Sequence, residues 1–194
     1  MKRKRILALF LAAVSCLSLA VSASAANTPN RKATDFRDFD RTAWYAEAVS
    51  AAVDNGLLYG KSSSIIDPNG AMTRAEMAAI INRSFGCYKA ADISQYKDVS
   101  KNKWYYKDVA LAVQMGTYNG RSSSTMAPDA PISRQEAMTV VARALELDYD
   151  SYSKTDLSAF SDCSEISNWA LPYVRAMVGA DYIHGRGKIL APLD

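Results

Sequence analysis

A single histidine, His184, among 194 residues rules out metal sites built on paired imidazoles and leaves little for a Ser-His-Asp triad. Cysteine is almost as scarce. Cys16 falls in an N-terminal leader, so only Cys87 and Cys163 bear on the fold. Two cysteines in a chain of this length make no disulfide framework. An exported chain permits a bridge, but these two lie in different repeats without cysteine counterparts, and none is expected. Long apolar runs are equally sparse. The one present, Ile6 to about Val21, follows Lys2-Arg3-Lys4-Arg5 and precedes Ala23-Ser24-Ala25. This is the pattern of a secretory signal peptide, assigned to residues 1–26. Ala13-Val14-Ser15-Cys16 is a poor lipobox, and no later run is long enough for a membrane span. An excess of positive charge is missing too. The leader holds four basic residues and no acid, so the formal charge of +3 becomes −1 without it. That balance offers no nucleic-acid footprint and no polybasic membrane surface.

What the chain does have is repetition. Phe36-Arg37-Asp38-Phe39 recurs as Tyr96-Lys97-Asp98-Val99 and as Phe160-Ser161-Asp162-Cys163. Trp44-Tyr45 recurs as Trp104-Tyr105, with Trp169 in the third tryptophan position. Gly56, Gly60, Lys61 and Pro68 recur as Gly116, Gly120, Arg121 and Pro128, with the triple serines 62–64 and 122–124 in the same register between the basic residue and the proline. Arg74, Glu76 and Arg83 return as Arg134, Glu136 and Arg143. The third copy matches through Gly185-Arg186 and Pro192, and stops at Asp194 short of its own motif; the chain is expected to be cut there. The copies span residues 36–87, 96–147 and 160–194, after a polar lead-in at 27–35.

Each full copy reads as helix, loop, helix over about 50 residues, a length close to helical repeat arrays. The first helix is expected from near Trp44 to Asn55, with Tyr45, Val49, Ala52 and Val53 at helical spacing and Gly56 as a left-handed cap. The second begins after Thr73 or Ser133. Its expected buried stripe is Met77, Ile80, Ile81 and Phe85 in one copy and Met138, Val141 and Leu145 in the other. Two such short helices cannot bury both stripes alone, so the copies must pack on one another. The linkers at 88–95 and 148–159 are expected to lack regular structure.

Met72-Thr73-Arg74-Ala75-Glu76 and Ile132-Ser133-Arg134-Gln135-Glu136 follow the proline turns, sixty residues apart. Thr73 with Glu76, and Ser133 with Glu136, form the capping-box pattern. Capping leaves the two arginines unexplained, since positive charge at a helix start opposes the helix dipole.

The ordered set Phe-x-Asp, Trp, Gly, Gly, Pro and Thr-Arg-Ala-Glu resembles the S-layer homology family, from Phe36 to the end of the chain. The resemblance implies an all-α fold of tandem helix–loop–helix repeats packed as a pseudo-three-fold, with the second helices in a central bundle. It implies a secreted bacterial surface module whose grooves hold pyruvylated secondary cell-wall polysaccharide. It also associates the motif arginines, here Arg74 and Arg134, with the acidic sugar. Trp-Tyr departs from the family's Trp-Ala in the first two copies, and the loops carry triple serine in place of a glycine-rich run. A groove needing the third motif helix would be incomplete, and the one between the first two copies should survive best.

Guanidinium binds carboxylate through paired, charge-assisted hydrogen bonds. Free N–H groups at the helix start would add to the pull on an anion. The competing reading pairs each arginine with a nearby acid or lays its stem over the proline turn. Trp44, Trp104 and Trp169 are candidates for stacking on sugar, although their place at the start of the first helix points to the core for the bulk of each ring. Gly60 and Gly120 either let sugar approach or serve a backbone turn. Asp38, Asp98 and Asp162 are read as loop acceptors. Tyr59-Gly60-Lys61-Ser62 is no phosphate loop, because the glycine spacing is wrong and it follows a helix. No catalytic residue, metal or cofactor is expected. The function expected is non-enzymatic anchoring of its own or a fused surface protein to wall polysaccharide. The alternative is the targeting part of a wall-active enzyme whose catalytic domain lies beyond residue 194.

Overall fold

Thr73 and Ser133 open their helices as the capping pattern requires. In a computed structural model that describes residues 31–194, the Thr73 hydroxyl accepts from the Glu76 N–H at 3.2 Å, and the Glu76 carboxylate accepts from the Thr73 N–H at 2.8 Å. Ser133 and Glu136 make the same exchange at 3.3 and 2.9 Å. The expected leader lies outside the described residues. Among those described there are five α-helices and no strand: α1 (Ala46–Asp54), α2 (Arg74–Phe85), α3 (Tyr106–Gln114), α4 (Arg134–Ala144) and α5 (Leu171–Gly179).

The first helix of each repeat starts later than its sequence pattern suggests. Tyr45 and Tyr105 are the N-cap residues, so Trp44 and Trp104 stay in the preceding turn. The ends are as expected. Gly56 and Gly116 have φ of 67° and 72°, and the next residues, Leu57 and Thr117, donate back to Ala52 and Ala112. This is the left-handed closure that glycine favours. The linkers at 88–95 and 148–159 contain no helix. They are pinned by single apolar residues, Ile93 and Leu157, both buried.

The Asp residues of the Phe-x-Asp signature hold the proline turns. Asp98 accepts from the Met126 and Ala127 N–H groups at 2.9 and 2.6 Å. Asp38 does the same for Ile66 and Asp67, and Asp162 for Leu190 and Ala191. In each turn the residue before the proline is left-handed without being glycine: Asp67, Ala127 and Ala191, at φ 53°, 55° and 52°. That conformation is costly for residues with a Cβ, and two N–H···carboxylate bonds hold the chain in it.

The chain divides into two compact units, one ending at Pro68 and one beginning at Asn69. In the first, Ala33, Phe36, Val53 and Ile66 form a small core. In the second, the partners are not those the repeat period suggests. α2, from the first repeat, packs on α3, which opens the second. α4, from the second, packs on α5 of the third, and α2 touches α4. Met77, Ala78 and Ile81 of α2 meet Tyr105, Val109 and Ala112. Met138 and Ala142 of α4 meet Val174, Met177 and Leu190.

Packing on two neighbours widens the buried arc of each motif helix. Small and polar residues, namely Ala78, Ala79, Asn82, Gln135 and Thr139, are buried. Phe85, expected in the core, is exposed at the last residue of α2, and Ile80, Val141 and Leu145 are only half-buried. Gln135 is satisfied by accepting from the Ser167 N–H at 2.9 Å, and Thr139 by donating to the Gln135 carbonyl. Cys87 and Cys163 are free thiols.

Candidate functional site

Arg74 is not a surface arginine. It is 5 % exposed and reaches from the start of α2 into the second repeat. Its Nε donates to the Met126 carbonyl at 3.0 Å, Nη1 to Glu136 Oε1 at 2.9 Å, and Nη2 to the Asn119 carbonyl at 3.1 Å. Its guanidinium carbon lies 5.2 Å from the centre of the Tyr118 ring, and the Tyr118 hydroxyl donates to the Arg74 carbonyl at 2.9 Å. Burial raises the Tyr118 phenol pKa, with Arg74 pulling the other way.

The helix starts are not open to an anion, contrary to expectation. The Arg74 and Ala75 N–H groups donate to the carbonyls of Ala130 and Pro128, at 3.0 and 2.9 Å. Arg134 and Gln135 donate in the same way to Asp194 and Pro192, at 2.8 and 2.9 Å. The groups that a helix leaves unsatisfied at its first turn are used to dock each motif onto the following proline turn. Arg134 Nε also donates to the Leu190 carbonyl at 3.0 Å, as Arg74 does to Met126. Burial, with Arg186 close by, lowers the Arg134 pKa, and Asp194 and Asp162 oppose this.

Glu136 does more than cap its helix. Oε1 accepts from Arg74 and from Arg121 Nε at 3.2 Å; Oε2 accepts from Arg121 Nη2 at 3.2 Å and from the Ser133 N–H. Burial works against its charge, but the Arg121 hydrogen bonds, the Ser133 N–H and Arg74 outweigh it and hold the carboxyl below its ordinary range.

Above this pair opens a cleft of about 530 Å³. Its walls include Arg74, the loop from Thr117 to Arg121, Glu136, Thr139, Arg143 and Trp169. Three guanidinium groups thus face one carboxylate, with an indole at the side, and an anion with an apolar face suits such a wall. Gly120 shapes it. A Cβ there would collide with the Tyr96 ring and meet the Ser122 and Thr125 carbonyls at 2.5 and 2.8 Å. Gly60, in the other unit, has φ of 81° and is held against Phe36 in the same manner.

The tryptophans are where the residue-based expectation fails. Trp44 is 88 % exposed, Trp104 60 % and Trp169 52 %. The buried aromatic is the following tyrosine: Trp44 and Trp104 pack edge-on against Tyr45 and Tyr105. Neither Trp44 nor Trp104 lines the cleft, and Trp169 does. Arg121 and Arg143 are absent from the expected site, and Trp169, considered for stacking, is read there as core. The signal for them was present, since Lys61, Arg83 and the first two tryptophans occupy the same repeat positions.

Two stretches, residues 35–78 and 95–138, match the S-layer homology domain. The chain is 32 % identical to the surface-layer 125 kDa protein of Lysinibacillus sphaericus over 91 % of its own length and 14 % of that protein's. It is 25 % identical to an endoglucanase of Bacillus sp. (strain KSM-635), covering 94 % of this chain and 19 % of the enzyme. With an exoglucanase XynX of Acetivibrio thermocellus it shares 26 % identity over 84 % of this chain and 15 % of the enzyme. The chain therefore spans less than a fifth of the length of these relatives. The matched stretches hold the Asp clamp, the proline turn and the capped Arg-Ala/Gln-Glu start; of the cleft they include Arg74, the Thr117 to Arg121 loop and Glu136, while Thr139, Arg143 and Trp169 lie outside them. The protein is a secreted, cell-surface protein, and it belongs to the S-layer homology family.

Proposed function

We propose that the chain anchors a secreted polypeptide to the bacterial cell wall by binding acidic wall polysaccharide, its acid group a pyruvate ketal. The observation that carries this is the cleft: three arginines against one glutamate, in a chain whose net charge outside the leader is slightly negative. Positive charge is concentrated where a polyanion would dock. Arg74 supplies charge from the floor of the cleft, Gly120 keeps the loop wall thin, and Trp169 offers an apolar face to a sugar ring. Arg134 and Gly60 hold the corresponding repeat positions, and Trp44 and Trp104 present exposed indoles of the same kind. The chemistry is binding, with no residue assigned to a reaction.

Sedimentation of the full chain with purified walls tests this. Binding should be lost once the acidic polymer has been stripped from the peptidoglycan. Equal binding to stripped walls would overturn the proposal.

A second reading is favoured by the relatives named endoglucanase and exoglucanase, which match the same repeats. In it the module targets a wall-active enzyme whose catalytic part is encoded beyond residue 194. Reading the gene past that point decides: a glycosidase domain supports it, and an immediate stop removes it.

A further inference from the structure

Arg74, the motif arginine, has few donors left to offer a ligand. A guanidinium carries five N–H donors. Those of Arg74 go to Met126, Glu136 and Asn119, with Met126 Sδ at 3.8 Å from Nη2. Both edges able to grip a carboxylate are in use. A ligand acid could take Arg74 bidentately only by displacing Glu136 or the backbone carbonyls from a buried site, which would leave them unpaired.

Two other arginines of the cleft differ. Arg121 is 45 % exposed at its side chain, and the Nε–Nη2 edge that rests on Glu136 leaves both Nη1 hydrogens unpaired among the described residues. Glu136 fixes its direction, and Pro131 adds a carbonyl at 3.2 Å from Nη2. The side chain of Arg143, from the last turn of α4, hydrogen-bonds to none of the described residues. Its guanidinium carbon lies 4.7 Å from the centre of the Tyr173 ring, and Tyr149 packs edge-on against that ring at 5.5 Å. Stacked this way, a guanidinium is held in place while its N–H edge stays available.

Resting on the anchoring reading above, we infer that the ligand's carboxylate is held by Arg121 and Arg143, with Arg74 and Glu136 acting as positioning residues beneath them. Arg74 neutralises Glu136 from below, and Glu136 aims Arg121 with both of its oxygens. The acid group would then sit near the cleft mouth, close enough for the sugar bearing it to reach the Trp169 indole on the same wall.

The test compares two probes on the full chain: the acidic wall polymer, and the same polymer with its carboxyl groups reduced to alcohols. Wild type should prefer the acidic form. Arg121→Gln and Arg143→Gln should each weaken acidic-polymer binding about tenfold, the scale of one charge-assisted contact, and bring the two polymers closer in affinity. Unfolding midpoints should stay near wild type, and Lys107→Gln, an exposed cation outside the cleft, should change nothing. Arg143→Lys should recover less than half the loss if the stacked fork matters. Unchanged acidic-polymer preference in both glutamine variants would overturn the assignment while leaving wall anchoring intact. A wild type indifferent to the carboxylate would instead remove the anchoring reading itself.

Discussion

Arg74 Nη1 and Glu136 Oε1 lie 2.9 Å apart, joining the motif of the first repeat to the motif of the second. The two side chains are 6 % and 13 % exposed, so neither can be rescued by water if the other is removed. Glu136→Ala should therefore cost about 3–5 kcal/mol through an uncompensated buried guanidinium, with the lost capping contact included. Urea unfolding followed by circular dichroism measures this. A loss under 1 kcal/mol would mean that the pair is dispensable. The same geometry makes Arg74→Ala a poor probe of ligand binding, because its effect on folding comes first.

Acid should loosen the structure through the same carboxylate. Glu136 is held below the usual glutamate value, so its contribution is present above about pH 4.3 and lost as the pH falls through its lower folded value. Asp38 and Asp162 add in the same sense, lowered chiefly by the Ile66 and Leu190 N–H groups. Stability measured from pH 6 to pH 2 should hold until about pH 4 and then drop. In Glu136→Gln the drop should be shallower.

At high pH the sign reverses. Burial, helped by the hydrogen bond to Asp129 at 3.0 Å, pushes the Tyr105 phenol up to about 12. An acid whose folded pKa is raised stabilises fully below its unfolded value, about 10, and loses that contribution as the pH climbs towards 12. Burial raises Tyr118 as well. Wild type should thus weaken steadily from pH 10 upward, and Tyr105→Phe should flatten part of that slope. A Tyr105→Phe slope identical to wild type would place the titrating group elsewhere.

Trp169 is half-exposed, so removing its indole should affect binding more than folding. Trp169→Ala should reduce wall binding about tenfold and shift the unfolding free energy by less than about 1 kcal/mol. Trp104→Ala serves for comparison, because Trp104 lies outside this cleft. Equal losses in the two variants would argue against a particular role for Trp169.

Much of this architecture could be read from residues whose job is local. Thr73, Glu76, Ser133 and Glu136 announce their caps, Gly56 and Gly116 their left-handed closures, and Asp98 its turn, because each acts on backbone within its own repeat or loop. What escaped was set between repeats. Nothing in the spacing around Arg74 says that its partner is Glu136, sixty-two residues on. Trp44 and Trp104 misled because hydrophobicity alone favours the interior, whereas the adjoining tyrosines take that place and leave the indoles outside. Phe85 misled in a similar way: helical periodicity continues to the last residue of α2, where the ring is exposed.

Because α2 rests on α3, and α4 on α5, the cooperative block straddles the boundary that the sequence period draws. A polypeptide threaded through the export channel from its N-terminus cannot settle one motif helix until the opening helix of the next repeat has also emerged. Maturation on the far side of the membrane then proceeds one step behind translocation, and a fragment severed at residues 88–95 would divide α2 from the surface it needs.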